Sequence, residues 1–124
     1  MNINVNTEAA LDGAWMESSI DNGLSWQIVG GRRINTGINW YNDSIASIAR
    51  PTWGSAVDSV KGWRLAQNIL RGTAGKPNVR LRVGFRSDGS VNSADGFAFD
   101  NVLDRKSTRR NSSHVVTSRM PSSA

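Results

Sequence analysis

The 124-residue sequence contains no cysteine, and its one histidine, His114, lies close to the C-terminus. Without disulfides to restrict the unfolded chain, stability depends on the packed core alone. Residues 1–104 can supply neither a Cys–His pair nor a Ser–His–Asp triad. The phosphate-binding pattern G-x-x-x-x-G-K-[ST] and the zinc pattern H-E-x-x-H are absent as well. We therefore expect no catalytic residues and no required cofactor.

Long apolar runs are also missing, since no stretch approaches the roughly 20 residues that a membrane-spanning helix needs. The opening residues, MNINVNTEAALDG, have neither the basic n-region nor the apolar h-region of a signal peptide. Asparagine and apolar residues alternate from the first positions, without a preceding turn. We therefore expect Met1 to be internal to a longer reading frame, with a strand or two missing upstream.

Acidic residues are missing from the last part of the chain, Arg105–Ala124. Residues 1–104 are electrically neutral, so the net charge of +5 lies entirely in this segment, and we expect neither nucleic acid nor a membrane as a partner. The segment buries too little apolar surface to offset its ordering entropy, which predicts a disordered basic tail. Its sequence also resembles translated sequencing-adapter contamination, which implies that the natural chain departs from this sequence near Asp104.

What remains is typical of one β domain over residues 1–104. The clearest strand is 79–86, where Val79, Leu81, Val83 and Phe85 would face a core. Arg80, Arg82 and Arg86 would form a solvated face or, alternatively, a site for an acidic ligand. Further strands are predicted at 1–5, 63–70 and 97–103, the last one central and buried with Phe99 inside. These patterns, with 12 glycines, predict an all-β fold, an antiparallel two-sheet β-sandwich.

The strongest local signal is SIDNGLSW at Ser19–Trp26, where Asp21, Asn22 and Gly23 favour a turn. Strand-prone residues on both sides predict a β-hairpin over 14–29. The pattern S-x-D-x-G-x-S-W resembles the Asp-box, a hairpin motif of sialidases and many other secreted β-proteins. That resemblance implies a structural turn in which the side chains of Ser19 and Asp21 tie the loop at Gly23 and Trp26 packs over it.

Several further segments resemble a single family. They are NWYN at 39–42, GW at 62–63, VRLRVGFRSDG at 79–89 and DGFAFDNV at 95–102. Together with the hairpin they are similar to the MAM-like, jelly-roll accessory domains of large secreted bacterial proteins. The resemblance implies a β-sandwich that is truncated at its N-terminal strand and continues to residue 104.

The same resemblance implies a metal site at Asp100, because the aspartate of the terminal strand often binds a structural calcium ion in related jelly-roll modules. Calcium takes six to eight oxygen ligands, and Glu8 and Asp12 are available as partners. Alternatively, the Asp100 carboxylate accepts hydrogen bonds from backbone or tryptophan N–H groups.

A glycan-binding platform is a second site hypothesis. Sugar-binding modules stack pyranose rings on exposed aromatic side chains beside polar groups. Trp40, Tyr41 and Trp53 lie in the long segment 30–62 between predicted strands, where exposure is expected. The alternative is that these rings form a small core of their own, as we expect for Trp15, Trp26 and Trp63 in the strands.

The sequence thus predicts a non-catalytic accessory module of a larger secreted or cell-surface bacterial protein, used for adhesion or for glycan or protein binding. Its partners would be neighbouring domains of the same parent chain and a polysaccharide or cell-surface glycan. A fragment of a sialidase-like glycosidase is the first alternative, resting on the single Asp-box, because spacing alone does not exclude a pair of catalytic carboxylates. A purely structural spacer domain is the second alternative.

Overall fold

The computed structural model describes residues 1–31, 37–55, 62–88 and 96–105, together with the backbone of the strand at 117–119. Within these residues the protein is nearly all β, and every paired strand runs antiparallel to its neighbour. The strands are β1 (Asn2–Asn6), β2 (Gly13–Ser19), β3 (Gln27–Ile28), β4 (Gly37–Ile38), β5 (Asp43–Ile45), β6 (Arg50–Thr52), β7 (Arg64–Leu65), β8 (Gln67–Asn68), β9 (Arg80–Arg86), β10 (Gly96–Asp100), β11 (Leu103–Arg105) and β12 (Thr117–Arg119). No helix of the described part is long and apolar enough to cross a membrane.

Two three-stranded sheets form the layers of the fold, one in the order β10-β1-β7 and the other in the order β3-β2-β9. β1 alternates as a half-buried strand should, with Ile3 and Val5 buried between less buried asparagines. Ala14 and Met16 of β2 are buried in the same core. Because this core is built from both sheets, the prediction of an all-β, antiparallel β-sandwich is confirmed.

Residues 37–55, the described middle of the segment 30–62, pack against β2 instead of extending into solvent as expected. Its strands β5 and β6 pair across a single 3₁₀ turn, Ala46–Ile48, which ends at Ala49 with a φ of 49°. Beyond β6, Trp53 and Ala14 exchange two backbone hydrogen bonds of 2.7 and 3.0 Å. The described part of the segment therefore contributes buried residues, such as Tyr41 and Trp53, to the core.

The hairpin predicted over 14–29 forms from β2 and β3, with Glu17 opposite Ile28. On its other side β2 pairs along its whole length with β9, from Gly13 opposite Arg86 to Ser19 opposite Arg80.

β9 keeps the predicted alternation over its first half, where Arg80 and Arg82 are exposed and Leu81 and Val83 are partly buried. The prediction that Phe85 is buried is wrong, since its side chain is 47% exposed. In the described part of the chain β9 is an edge strand of its sheet. Phe85 therefore has a neighbouring strand, β2, on one side only.

The strand predicted over 63–70 is split at Ala66, which is buried, into β7 and β8. β7 pairs with β1 and β8 pairs with β4, so the single alternating face that the sequence indicated does not exist. Trp63, expected in the core, is 57% exposed because it precedes β7 instead of lying within a strand.

The strand predicted over 97–103 ends early, because Asn101 adopts the left-handed conformation with a φ of 53° and separates β10 from β11. β10 lies at the edge of its sheet in the described residues, and Phe99 is 43% exposed. The expectation of a central strand with Phe99 buried is therefore wrong.

The predicted tail is covered only in part. Residues 106–116 and 120–124 lie outside the described residues. Arg105 belongs to β11, whose three residues pair antiparallel with Thr117–Arg119.

Candidate functional site

The turn at Ser19–Trp26 is held by its own side chains. The hydroxyl of Ser19 accepts hydrogen bonds from the amides of Gly23 (2.9 Å) and Asp21 (3.3 Å) and donates one to Asp21 Oδ1 (2.7 Å). Asp21 also accepts from the amide (2.8 Å) and the hydroxyl of Ser25. Gly23 has a φ of 92°, and its carbonyl accepts from Trp26 Nε1 at 3.1 Å. The structure thus brings Ser19, Asp21, Gly23 and Trp26 together in one hydrogen-bonded loop.

The Asp21 carboxylate is used to hold this loop. Hydrogen bonds from the Ser25 hydroxyl, the Ser19 hydroxyl and the Ser25 amide lower its pKa from 3.8 to about 2. A group with so low a pKa remains ionised near neutral pH and cannot act as a general acid there. Its observed contacts favour a structural role.

The outer face of β2 and β9 carries a second network, which we call the Glu17 cluster: Trp15, Glu17, Trp26, Arg50 and Arg82. Glu17 is 8% exposed and accepts hydrogen bonds from Arg82 Nε (3.0 Å), Trp15 Nε1 (3.1 Å) and Arg50 Nη1 (3.2 Å). The guanidinium of Arg82 lies 4.1 Å from the ring centroid of Trp26, and that of Arg50 lies 4.9 Å from the ring of Trp15. These contacts tie β2, β6, β9 and the hairpin turn together.

Opposing effects set the charge state of Glu17. Burial raises its pKa, but the hydrogen bonds from Arg82, Trp15 and Arg50 outweigh burial, so the pKa lies below its usual value of 4.5. Glu17 therefore stays ionised and paired. Arg82 in turn is engaged within the protein, whereas Arg80 and Arg86 form no ion pair with any other described residue.

Glycine makes room for this network at one position. Gly84 lies directly opposite Trp15 on the neighbouring strand, and a Cβ atom there would come within 2.5 Å of the indole. The Trp15 ring can therefore lie across β9 and reach Glu17 with its N–H group.

The three aromatic residues predicted to stack on sugars lie in the core. Trp53 is fully buried and Tyr41 is 5% exposed, while Trp40 is partly buried against them. The ring of Trp53 makes edge contacts with Trp40 and Tyr41, at centroid distances of 4.6 and 4.9 Å, and stacks on Phe97 at 5.4 Å. The expected exposure of these three rings is therefore wrong, because their segment packs against β2, and the alternative, that they form a core, is the observed arrangement. Glycan binding by these residues stays a prediction.

The polar atoms of these rings bind the backbone. Trp40 Nε1 donates to the carbonyl of Val29 at 2.8 Å, and Trp53 Nε1 donates to the carbonyl of Asn39 at 3.1 Å. The Tyr41 hydroxyl accepts from the Met16 amide at 3.0 Å and donates to the Met16 carbonyl at 3.1 Å. Burial raises the pKa of Tyr41 to about 12. The polar atoms of the three rings are thus used in hydrogen bonds to the backbone.

Asp100 is the last residue of β10 and lies opposite Asn2. Its Oδ1 atom accepts a hydrogen bond of 2.7 Å from the amide of Asn101. Glu8 and Asp12 follow β1 at the other end, where Asn6 lies opposite Gly96, and four strand residues span about 13 Å. The structure therefore does not bring Asp100 together with the two carboxylates proposed as its partners, and calcium at Asp100 stays a prediction.

Glu8 and Asp12 lie close to a different carboxylate, that of Asp88. The sequence did not indicate this group, because Asp88 follows β9 and is far from Glu8 and Asp12 along the chain. One carboxylate oxygen of each residue lies within 4.8 Å of the others. Asp12 is buried, and its Oδ1 atom accepts a hydrogen bond of 2.8 Å from the Asp88 amide. Groups of acidic side chains are common without a metal, so we assign no ion to this cluster.

A shallow groove of about 260 Å³ lies between the edge strand β3 and the end of β8. Its walls are formed by β3 and the two residues after it, and by Asn68, Ile69 and Arg71. Among the described residues that line the groove there is no carboxylate and no histidine, so these residues offer no acid–base pair for catalysis.

Comparison with known proteins finds no family model, no curated protein and no solved structure that matches this chain. The function must therefore be argued from the geometry described above.

Proposed function

We propose that this chain is a non-catalytic accessory module of a larger secreted or cell-surface bacterial protein, and that it acts by docking against a neighbouring domain of the same parent chain. The observation that carries the proposal is the position of Phe85 and Phe99. Phe85 lies opposite Ala14 and Phe99 lies opposite Ile3, and both of those residues are fully buried. Because directly opposite residues share one face of a sheet, both phenylalanine rings are on core-facing sides.

Two aromatic rings that face the core and are still almost half exposed indicate a surface suited to a partner. Aromatic residues are enriched at the centres of protein interfaces. The row Trp53–Phe97–Phe99 leads from the buried core to this surface, with centroid distances of 5.4 and 6.2 Å. A docked domain would continue the packing that these rings begin.

The polar groups described above support a non-catalytic role. Asp21 holds its turn, Glu17 is paired with two arginines, and Asp12 binds the Asp88 amide. The extracellular setting rests on the resemblance of the hairpin and the two closing segments to secreted modules. The sialidase-like alternative depends on the same hairpin. Both carboxylate oxygens of Asp21 accept hydrogen bonds from Ser19 or Ser25 within the turn, which favours a structural role over catalysis.

The test compares this module alone with the same module joined to the adjoining domain of its parent. We expect the melting temperature of the module to be several degrees higher when it is joined. Hydrogen exchange of the module's own core amides measures this temperature separately from that of the neighbouring domain. Phe85→Ser and Phe99→Ser should remove that difference, whereas Leu24→Ser, at a residue 88% exposed on the hairpin turn, should leave it unchanged. Equal melting temperatures in both settings would instead favour the spacer alternative.

A panel of chromogenic glycosides tests the remaining alternative. We expect no hydrolysis above the buffer rate by the full chain. Turnover that is lost on Asp21→Asn would overturn the non-catalytic assignment.

A further inference from the structure

The free edge of β9 exposes backbone groups that could pair with another strand. Ala14 and Met16 direct their backbone groups away from β9, toward Trp53 and Val29, so the alternate residues of β2 bond to β9. The register then places the N–H and C=O groups of Leu81, Val83 and Phe85 on the far side of β9. No other described residue pairs with them there.

The free edge of β10 has the same property. Met1 exchanges hydrogen bonds with Ala66 on the β7 side, so Asn2 and its alternate neighbours bond to β10. The backbone groups of Phe97 and Phe99 consequently point away from β1, and nothing in the described ranges pairs with them.

The two edges approach each other at one point, although they belong to different sheets. A Cβ atom on Gly96, the first residue of β10, would lie 4.0 Å from Cζ of Phe85. We define the open seam as the free edges of β9 and β10 together with the rings of Phe85 and Phe99, which meet at Gly96. Long edge strands with unpaired backbone groups and apolar side chains are natural templates for strand pairing.

The charges beside the open seam indicate what kind of strand fits. Arg80 and Arg86 lie on the outer face of β9, are exposed, and form no ion pair within the described part of the chain. A second copy of β9 would place arginine against arginine, which is unfavourable for directly opposite residues. Acidic side chains at the same positions would be favourable.

We propose that the open seam receives an extended segment of the neighbouring domain, which adds to the sheet as a strand beside β9. Its apolar residues, at alternate positions, cover Phe85 and Phe99, and the acidic residues between them face Arg80 and Arg86. This inference rests on the function proposed above and gives it a partner of defined chemistry, an alternating acidic and apolar strand.

A labelled peptide of about ten residues that alternates valine and glutamate tests the inference, with binding to the full chain followed by fluorescence anisotropy at low salt. We expect saturable binding that weakens as salt is added. A peptide of the same composition with its valines and glutamates in two blocks should not bind. Equal affinity for the blocked peptide would overturn the proposal.

Backbone pairing is tested on the unaltered protein with a peptide methylated at alternate amide nitrogens. Because three edge carbonyls would lose their donors, affinity should fall by about tenfold or more. Unchanged affinity would rule out strand addition. In the protein, Val83→Pro removes an N–H group that faces the free edge and takes no part in pairing with β2, so it should weaken binding similarly.

Charge is tested with Arg80→Glu and Arg86→Glu, each of which should weaken peptide binding, against Arg71→Glu, an exposed arginine beside the groove of β3 and β8. Equal losses in all three variants would overturn the assignment of Arg80 and Arg86. Concentration-dependent dimers in sedimentation without peptide, abolished by Val83→Pro, would show that a second copy occupies the seam instead. If the peptide fails to bind while the module still melts higher beside its neighbour, strand addition is wrong and the docking function stands.

Discussion

The hydroxyl of Tyr41 lies 3.0 Å from the amide nitrogen of Met16 and 3.1 Å from its carbonyl oxygen, on the side of β2 that faces away from β9, between the pairing of β2 with Trp53 and its pairing with β3. Trp53 pairs with Ala14 on one side of this point, and β3 pairs with Glu17 and Ser18 on the other. A side chain thus completes a gap in the ladder, as buried backbone groups require.

Replacing Tyr41 with phenylalanine keeps the ring and removes these bonds. We expect Tyr41→Phe to lower the free energy of unfolding by about 1–3 kcal/mol, because the buried Met16 amide loses its acceptor. Urea unfolding measures the change, and amide exchange should accelerate at Met16 more than at Ile3. A variant as stable as the parent would show that water replaces the hydroxyl.

Trp53 and Phe99 belong to the same row of aromatic rings but differ in exposure, so their replacement by alanine should lower the free energy of unfolding by different amounts. Trp53→Ala should cost about 3–5 kcal/mol or unfold the protein, because its fully buried ring is the centre of the core. Phe99→Ala should cost only about 1–2 kcal/mol, since its ring is almost half in water. Equal losses in denaturant unfolding would contradict the exposure of Phe99.

The sequence was sufficient where structure is decided locally. The hairpin at Ser19–Trp26 forms because its hydrogen bonds join residues two to four positions apart. The alternation at 80–83 likewise predicted which side chains of β9 face the core. At Phe85 the alternation predicted the core-facing side but not the burial, because exposure there depends on whether another strand covers the ring, and periodicity carries no information about that.

The candidate site was less predictable for a related reason. Trp40, Tyr41 and Trp53 occur in a segment with loop composition. The hydrogen bond of Trp40 with Val29 spans 11 residues along the chain, and that of Tyr41 with Met16 of β2 spans 25. The meeting of Asp12 with Asp88 spans 76 residues. Such contacts depend on the order of strands in the sheets, which residue spacing within one segment cannot reveal.

Acid titration tests the role of Asp21. Its folded-state pKa of about 2 lies below its usual value of 3.8, so its contribution to stability is present above about pH 4 and is lost as the pH falls through 2. NMR titration of the Asp21 carboxyl carbon should give the low value directly. Ser25→Ala should raise the pKa, because the Ser25 hydroxyl is the largest cause of the shift, whereas Leu24→Ala should not. An unshifted Asp21 would contradict the observed turn.

Two buried threonines, Thr52 and Thr7, differ in whether their hydroxyl has a hydrogen-bond partner, so the same substitution can be compared at both. The Thr52 hydroxyl is fully buried and has no hydrogen-bond partner among the described residues, so Thr52→Val should be neutral or stabilise the fold by about 1 kcal/mol. The Thr7 hydroxyl accepts a 3.1 Å hydrogen bond from the Ser55 amide, so Thr7→Val should destabilise by about 1 kcal/mol. Thermal unfolding of both variants measures the contrast, and destabilisation by Thr52→Val would reveal a partner for its hydroxyl.

The pairing of β1 with β10, with Asn2 opposite Asp100, also has a consequence for the order of folding during synthesis. β1 leaves the ribosome long before its neighbours β7 and β10 emerge, so the apolar side chains of Ile3 and Val5 stay without their sheet until those strands have been made. The hairpin of β2 and β3 can close early, whereas the first sheet closes only after β10 has emerged. During synthesis β1 therefore remains an unpaired apolar strand, and the yield of the protein in cells should depend on chaperones that bind such strands.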